Sequence, residues 1–255
     1  MEFGAFLIDI DGVLHVGQEP IEGAVAAIAL LRERGIGFRL ITNTTSRSRR
    51  RVVERLTGLG FDVDERDVLT PAALAVRHCR DAGHEHVALH VADALAEDFT
   101  ELSDTSENPE AVILGDLGTG FTYARMNAIF NQLEAGAELI ALQRNRVWQT
   151  EDGLVLDAGP FVVALEYATG RDAIVTGKPS AAFFEAALAE LGVDAASAAM
   201  IGDDLEADVG GALDAGLSGI LVRTGKFRPQ VLADSDIEPT LVLDSIAELP
   251  DLLPH

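Results

Sequence analysis

Short apolar runs alternate with longer amphipathic stretches along most of the chain, and this alternation limits the possible folds more than any other feature. Ala5–Ile10 and Gly37–Ile41 are rich in apolar side chains and too short for helices, which predicts buried strands. Between them, the apolar residues of Ile21–Arg34 recur at helical spacing, and the pattern stops at Gly35. Further predicted elements are the helices Ser48–Leu59, Tyr123–Leu133, Phe161–Ala168, Ser180–Leu191 and Leu205–Ala215 and the strands Ala111–Leu114, Glu138–Leu142, Ala198–Ile201 and Ser218–Val222. This order predicts an α/β fold, in which helices cover both faces of a mostly parallel sheet.

The charge of the chain argues against several classes of partner. Its 255 residues include 19 Lys and Arg against 42 Asp and Glu, which gives a formal net charge of −23. A surface of this sign repels nucleic acid and anionic membranes, so we expect neither as a partner. No run approaches the roughly 20 apolar residues that span a bilayer, and the first residues lack the basic segment of a secretory signal. A single cysteine, Cys79, is typical of a reduced, cytoplasmic protein.

Polar side chains follow the predicted strands at the edge where parallel sheets bind ligands. They come from four separate segments, namely Asp9 with Asp11, Thr42 with Asn43, Lys178, and Asp203 with Asp208. Lys178 is one of only two lysines in the chain, the other being Lys226. Because the carboxyl ends of parallel strands meet at one edge of a sheet, we expect these residues to line a single cleft.

The chemistry of such a cleft is specific. Several carboxylates repel one another unless a divalent cation neutralises them, and ligation by oxygen atoms alone suits Mg²⁺. A carboxylate can attack phosphorus and form an aspartyl-phosphate, and the Asp-x-Asp spacing at a strand end leaves a second carboxylate to act as acid and base. Each segment alone has an ordinary explanation, such as a solvated turn or a helix cap. Four such segments in order favour a magnesium-dependent phosphatase.

The motifs DIDGV, TN, GKP and GDDxxxxD resemble the four motifs of the haloacid dehalogenase superfamily, within its NagD-like subclass. The resemblance implies a Rossmann-like parallel-sheet core with an α/β cap domain inserted between the second and third motifs. It also implies a role for each matching residue: nucleophile for Asp9, general acid and base for Asp11, Mg²⁺ ligands for Asp9, the backbone carbonyl of Asp11 and Asp203, phosphoryl binding for Thr42, Asn43 and Lys178, and an orienting role behind them for Asp208.

The spacing of the motifs predicts where the cap is inserted. The segment between Asn43 and Lys178 is several times longer than the roughly 30 residues of one βα unit. We therefore predict a discontinuous core domain, residues 1–77 and 175–255, and a cap domain, residues 78–174. Within the cap, we predict an exposed loop over Asp98–Glu110. For the loop Gln143–Trp148, we expect Trp148 to pack in the core of the cap, with a contact between substrate and Arg146 or Trp148 as the alternative. Because relatives with this cap type are often dimers, the resemblance further implies a homodimer.

Two other functions use a similar set of residues. A phospho-accepting signalling module also surrounds an acceptor aspartate with acidic residues, a threonine and a lysine. It lacks the proton transfer that Asp11 would provide for hydrolysis. A metal-free dehalogenase on the same fold has no use for the acidic cluster of Asp11, Asp203 and Asp208. A small phosphorylated molecule is therefore the expected substrate, with these two functions as alternatives.

Overall fold

The computed structural model of the chain describes residues 3–150 and 153–253, with residues 148–150 described by their backbone alone. The strands are, in chain order, β1 (Ala5–Asp9), β2 (His15–Val16), β3 (Glu19–Pro20), β4 (Gly37–Ile41), β5 (Val68–Leu69), β6 (His86–His90), β7 (Ser103–Asp104), β8 (Ala111–Leu114), β9 (Glu138–Ala141), β10 (Val147–Thr150), β11 (Gly153–Leu156), β12 (Ile174–Val175), β13 (Ala198–Gly202), β14 (Ser218–Val222) and β15 (Leu241–Leu243). The α-helices are α1 (Ala24–Glu33), α2 (Arg49–Gly58), α3 (Pro71–Ala82), α4 (Tyr123–Glu134), α5 (Gly159–Thr169), α6 (Ala181–Leu191), α7 (Gly211–Asp214) and α8 (Pro229–Ala233). Within the described ranges, none of the helices has the length and apolar composition needed to cross a membrane.

The chain divides into two compact units. The first unit consists of Met1–Thr42, Arg49–Leu69 and Lys178–His255. Its sheet has the strand order β15-β14-β13-β1-β4-β5, and every neighbouring pair in it is parallel. The predicted α/β fold with a Rossmann-like parallel sheet is confirmed.

The register of this sheet brings several strand ends to one edge. Asp9, the last residue of β1, pairs with Ile41, the last residue of β4, so Thr42 lies one position beyond the pair. On the other side of β1, parallel β13 ends at Gly202 and is followed at once by Asp203. All five residues of β1 and all five of β13 are buried, as expected for central strands of a parallel sheet.

The predicted helix Leu205–Ala215 is wrong in its detail. Leu205–Gly210 forms a π-helical segment, and only Gly211–Asp214 forms a short α-helix. The backbone carbonyl of Asp204 accepts hydrogen bonds from the amides of both Asp208 and Val209, at 3.0 and 3.3 Å, so the turn is widened by one residue. Such π-helical segments are frequent at functional sites, and this one carries buried Asp208.

The second unit consists of Asn43–Ser48 and Thr70–Gly177. Its sheet has the order β12-β9-β8-β6-β7 with parallel neighbours throughout, and β10 and β11 form an antiparallel hairpin. Apolar side chains of α3 pack on one side of β8 and β9, and those of α4 and α5 form a second cluster with the same strands. The unit is therefore an α/β layer structure of its own.

Asp98–Glu110, predicted as an exposed loop, contains a strand. Ser103 and Asp104 form β7 at the edge of the sheet, where the amide of Ser103 donates to the carbonyl of Glu85 at 2.9 Å. Within the same segment Phe99 is buried, although most of the polar side chains are exposed. An edge strand of two polar residues carries no apolar alternation, which explains why the pattern did not reveal it.

Candidate active site

Lys178 joins two buried carboxylates at the edge of the first unit's sheet. Its Nζ lies 2.5 Å from Oδ1 of Asp9, at the end of β1, and 2.6 Å from Oδ1 of Asp208, in the π-helical segment. All three side chains are buried. A buried ammonium that donates to two carboxylates fixes both of them by charge-assisted hydrogen bonds.

A third buried carboxylate, Asp203, lies against this pair. Asp9, Asp203 and Asp208 each offer an oxygen atom, and the three atoms lie within 4.8 Å of one another. Oδ2 of Asp203 accepts a hydrogen bond from the backbone amide of Lys226 at 2.6 Å. Oδ1 of Asp203 is buried and has no hydrogen-bond partner within the described part of the chain. A buried charged oxygen without a partner is costly, which points to a ligand at this position.

The electrostatics of the cluster are unbalanced. Burial raises the pKa of Asp9 well above its ordinary value; Lys178 acts to lower it, while the nearby charges of Asp208 and Asp203 raise it further. Burial, and then the charge of Asp208, raises the pKa of Asp203 to about 6. Burial acts to lower the pKa of Lys178, but Asp208 and Asp9 outweigh it and raise that pKa. Three carboxylates against one buried lysine leave an excess of negative charge.

The residues of this cluster fit Mg²⁺. The donors are oxygen atoms only, one of them has no partner in the described chain, and a divalent cation would neutralise the excess negative charge. Mg²⁺ is typically bound by one or two carboxylates and completes its shell with water and substrate oxygens. Asp9 and Asp203 are suited to this task. Both oxygens of Asp208 already accept hydrogen bonds, Oδ1 from Lys178 at 2.6 Å and Oδ2 from the amide of Asp204 at 3.1 Å, whereas Lys178 engages Oδ1 of Asp9.

Asp11 and Thr42, the other predicted site residues of the first unit, also lie at this end of the sheet. Asp11 follows β1 by two residues, and its side chain is 60% exposed, with Oδ1 at 3.7 Å from Nε2 of buried His15. The carboxylate of Asp11 is therefore open to solvent. Thr42 is buried directly after β4, and its amide donates to the carbonyl of Leu69 at 3.4 Å. The structure thus brings Asp9, Lys178, Asp203 and Asp208 together, and the roles of all predicted residues stay predictions.

Three predicted residues belong to the second unit. Asn43 is the first residue of that unit. Arg146 is exposed and lies directly before β10. Trp148 lies within β10, and its side chain is outside the described residues.

A buried polar pair, which sequence reasoning missed, holds the base of the β10–β11 hairpin. The side-chain amide of Gln143 donates to Oδ1 of Asp157, and both side chains are buried. The same Oδ1 accepts from the amide of Ala158 at 2.7 Å, and Oε1 of Gln143 accepts from the amide of Asn145 at 2.6 Å. Burial raises the pKa of Asp157. Two single polar residues on either side of a hairpin give no sequence signal, because their pairing depends on how the hairpin closes.

Sequence reasoning assigned no role to the segment after β14, although it singled out Lys226 as one of only two lysines. Lys226 donates its backbone amide to Asp203, and its Nζ lies 3.2 Å from Oδ2 of Asp204. Burial acts to raise the pKa of Asp204, but the charge and hydrogen bond of Lys226, together with the hydrogen bond from the amide of Ala207, outweigh it and lower that pKa. Both lysines of the chain therefore lie at the acidic cluster. The rarity of lysine was the available signal, and it applied to Lys226 as well as to Lys178.

Two family models match long segments of the chain. One, described as haloacid dehalogenase-like hydrolase, matches residues 6–103, and the other, described as HAD-hydrolase-like, matches residues 175–249. Both segments include residues of the acidic cluster.

Known proteins similar to the chain cover nearly its whole length. Phospholysine phosphohistidine inorganic pyrophosphate phosphatase of Bos taurus is 42% identical over 97% of this chain and 93% of that protein. Haloacid dehalogenase-like hydrolase domain-containing protein 2 of Pongo abelii is 39% identical over 98% of this chain and 96% of that protein. Among solved structures, p-nitrophenyl phosphatase from Archaeoglobus fulgidus has a TM-score of 0.92 at 27% identity and covers 99% of this chain and 100% of that chain.

Proposed function

This chain belongs to the haloacid dehalogenase-like hydrolases, and we propose that it acts as a phosphatase that requires Mg²⁺ and forms an aspartyl-phosphate on Asp9. Its relatives include proteins named as phosphatases, which supports hydrolysis of phosphate compounds. The observation that carries the proposal is the buried cluster in which Lys178 bridges Asp9 and Asp208 beside Asp203. A nucleophilic carboxylate, a fixed ammonium and a set of oxygen ligands are the groups that phosphoryl transfer to an aspartate needs.

The reaction proceeds in two steps that share one phosphorus atom. In the first, a carboxylate oxygen of Asp9 forms a bond to phosphorus while the bond to the leaving oxygen breaks, and protonated Asp11 gives that oxygen its proton. In the second, water attacks the same phosphorus, the bond to Asp9 breaks, and Asp11 takes a proton from the water. Asp9 and Asp11 return to their starting states, and inorganic phosphate is released.

The other core residues position charge around the transferring group. Asp9, the carbonyl of Asp11 and Asp203 would hold Mg²⁺, which when bound neutralises negative charge on the phosphoryl oxygens and on its own ligands. Lys178 keeps the Asp9 carboxylate in place and provides a positive charge for the phosphoryl group. Thr42 and Asn43 would donate hydrogen bonds to the same oxygens. Asp208 keeps Lys178 oriented through its own hydrogen bond.

The second unit would serve as the cap that selects the substrate. All core groups of the proposed mechanism except Asn43 belong to the first unit. The phosphoryl transfer would therefore be the same for every substrate, and the second unit would contact the leaving group. The relatives' names point to small phosphorylated molecules, with phosphoamino acids and pyrophosphate as the first to test. Arg146 and Trp148 would contact the leaving group, and we propose that the chain forms a homodimer.

Hydrolysis of p-nitrophenyl phosphate tests the proposal. We expect wild-type protein to release phosphate with Mg²⁺, to lose this activity with EDTA, and to recover it when Mg²⁺ is returned. Hydrolysis that resists the chelator would contradict the metal requirement. A phosphorylated enzyme that stays stable for minutes would instead favour the signalling alternative. Release of halide from a haloacid without metal would favour the dehalogenase.

A further inference from the structure

Two glycines enclose the carboxylate of Asp203. Gly12, in the loop after β1, has φ +90°, and Gly225, in the loop after β14, has φ +56°. A Cβ atom on Gly12 would lie 2.0 Å from Oδ2 of Asp203, and one on Gly225 would lie 1.9 Å from the same atom. The Cβ on Gly225 would also lie 2.6 Å from Cα of Gly12. Any side chain at either position would therefore displace the carboxylate or separate the two loops.

Hydrogen bonds join the same two loops around Asp203. The hydroxyl of Thr224 donates to the backbone carbonyl of Gly12 at 2.5 Å. Two residues further on, the backbone amide of Lys226 donates to Oδ2 of Asp203 at 2.6 Å. The segment Thr224–Lys226 thus contacts the loop after β1 and the carboxylate after β13 at the same time.

The two carboxylate oxygens of Asp203 have different surroundings. Oδ2 is held by an amide and closely surrounded by Gly12 and Gly225, whereas Oδ1 has no hydrogen-bond partner within residues 3–150 and 153–253. A carboxylate fixed through one oxygen presents the other in a constant direction. Groups that orient a metal ligand in this way commonly change metal affinity when they are altered, even though they do not touch the ion.

We propose that Thr224–Lys226 is a positioning segment, which holds Asp203 so that Oδ1 is presented to Mg²⁺, and that Gly12 and Gly225 are required because a side chain there would turn the carboxylate away. The proposal rests on the proposed function, since it presupposes a magnesium site at Asp203. The amide of Lys226 carries the contact with Asp203.

The first test measures Mg²⁺ binding to the full chain by isothermal titration calorimetry, without substrate. We expect Gly225→Ala to weaken Mg²⁺ binding about tenfold to a hundredfold, the range usual for a group that orients a metal ligand. Gly17→Ala is the matched control, because Gly17 has the same φ of +56° but no atom within 4 Å of its Cβ position. We expect this control to bind Mg²⁺ as the wild type does.

A second pair of variants decides the matter if Gly225→Ala does not fold. Thr224→Val removes the hydroxyl that holds Gly12, and Thr224→Ser keeps it. We expect weaker Mg²⁺ binding in Thr224→Val and recovery in Thr224→Ser, with circular dichroism confirming that both fold.

The outcomes separate this proposal from the function on which it rests. If wild-type protein does not bind Mg²⁺, the metal requirement itself is wrong. If the wild type binds Mg²⁺ and either Gly225→Ala or Thr224→Val binds it equally well, Thr224–Lys226 does not position Asp203. If Gly17→Ala weakens binding as much as Gly225→Ala, the effect comes from backbone strain and the proposal is likewise overturned.

Discussion

The carboxylate of Asp203 is destabilised when no metal is bound. Burial and the charge of Asp208 raise its pKa from the ordinary 3.8 to about 6. A raised pKa means that the folded chain binds this proton more tightly than the unfolded chain does. The stability that the proton contributes is present below about pH 4 and is lost as the pH rises through about 6.

We therefore expect Asp203→Asn to raise the free energy of unfolding of the metal-free protein at neutral pH, by about 3 kcal/mol. The amide removes the charge and keeps an oxygen that can accept from Lys226. Thermal unfolding in EDTA from about pH 4 to pH 7 measures the difference between variant and wild type, which should grow as the pH rises. A difference that shrinks toward neutral pH would contradict this electrostatic description. Added Mg²⁺ should stabilise the wild type alone.

Lys178 stabilises the folded protein, whereas the charge of Asp203 destabilises it. Its ammonium is the buried positive charge between two carboxylates. Removing one partner of a buried ion pair leaves uncompensated charge, and Lys178→Ala should cost about 3–5 kcal/mol of stability. Arg223→Ala is a suitable control, since the pair of Arg223 with Asp244 is exposed and exposed pairs contribute about 1 kcal/mol or less. Urea unfolding of both variants measures the contrast. Equal losses of unfolding free energy in the two variants would show that burial does not strengthen the ion pairs of Lys178.

At the scale of elements, the sequence predicts central strands better than edge strands. The bounds of β4, β8 and β14 agree with those predicted, and that of β1 differs by one residue. These strands are apolar runs with most of their residues buried, so the pattern is continuous and ends where polar residues begin. The edge strands β7 and β12 have two residues each, and their pairing depends on neighbours far along the chain.

At the candidate site too, contacts that depend on distant parts of the chain could not be predicted from the sequence. The residues that carry charge at strand ends could be found from the sequence, because residue type and position suffice to identify them. The contributions of Gly12, Gly225 and the amide of Lys226 could not, since backbone groups and missing side chains act through distances that appear only in the folded chain. The π-helical turn that carries Asp208 is a further example, because an extra residue in a turn leaves the apolar spacing almost unchanged.

The second unit provides a prediction about substrate choice. Arg146 is exposed at the start of the β10–β11 hairpin, and the buried pair of Gln143 and Asp157 fixes the base of that hairpin. We expect Arg146→Ala to change KM and the ranking of three unrelated phosphate esters, and we expect Lys178→Ala to slow all three alike. Arg80→Ala, at an exposed ion pair with Glu101, is the control and should leave the ranking unchanged. A reordering of the esters by Lys178→Ala alone would contradict this division of tasks.

At the scale of the whole molecule, net charge and exposed apolar surface have opposite effects on dimer formation. The charge of −23 makes two copies repel, whereas Leu154, Leu156 and Tyr167 of the second unit are largely exposed. Because salt screens charge repulsion between copies, we expect a homodimer whose affinity rises with ionic strength. Light scattering at tens of micromolar protein, in low and in moderate salt, measures this. A monomer in both conditions would contradict the proposed homodimer.

The central claim is that Asp9 carries the phosphoryl group, and trapping that species tests it most directly. Wild-type protein turning over p-nitrophenyl phosphate with Mg²⁺ is quenched in acid and reduced with borohydride, which converts an aspartyl-phosphate to homoserine. Peptide mass spectrometry then locates the change, with Asp9→Asn as the control. We predict homoserine at position 9 in the wild type and none in the variant. Hydrolysis of the substrate with Asp9 unmodified, or with homoserine at another aspartate, would contradict the mechanism.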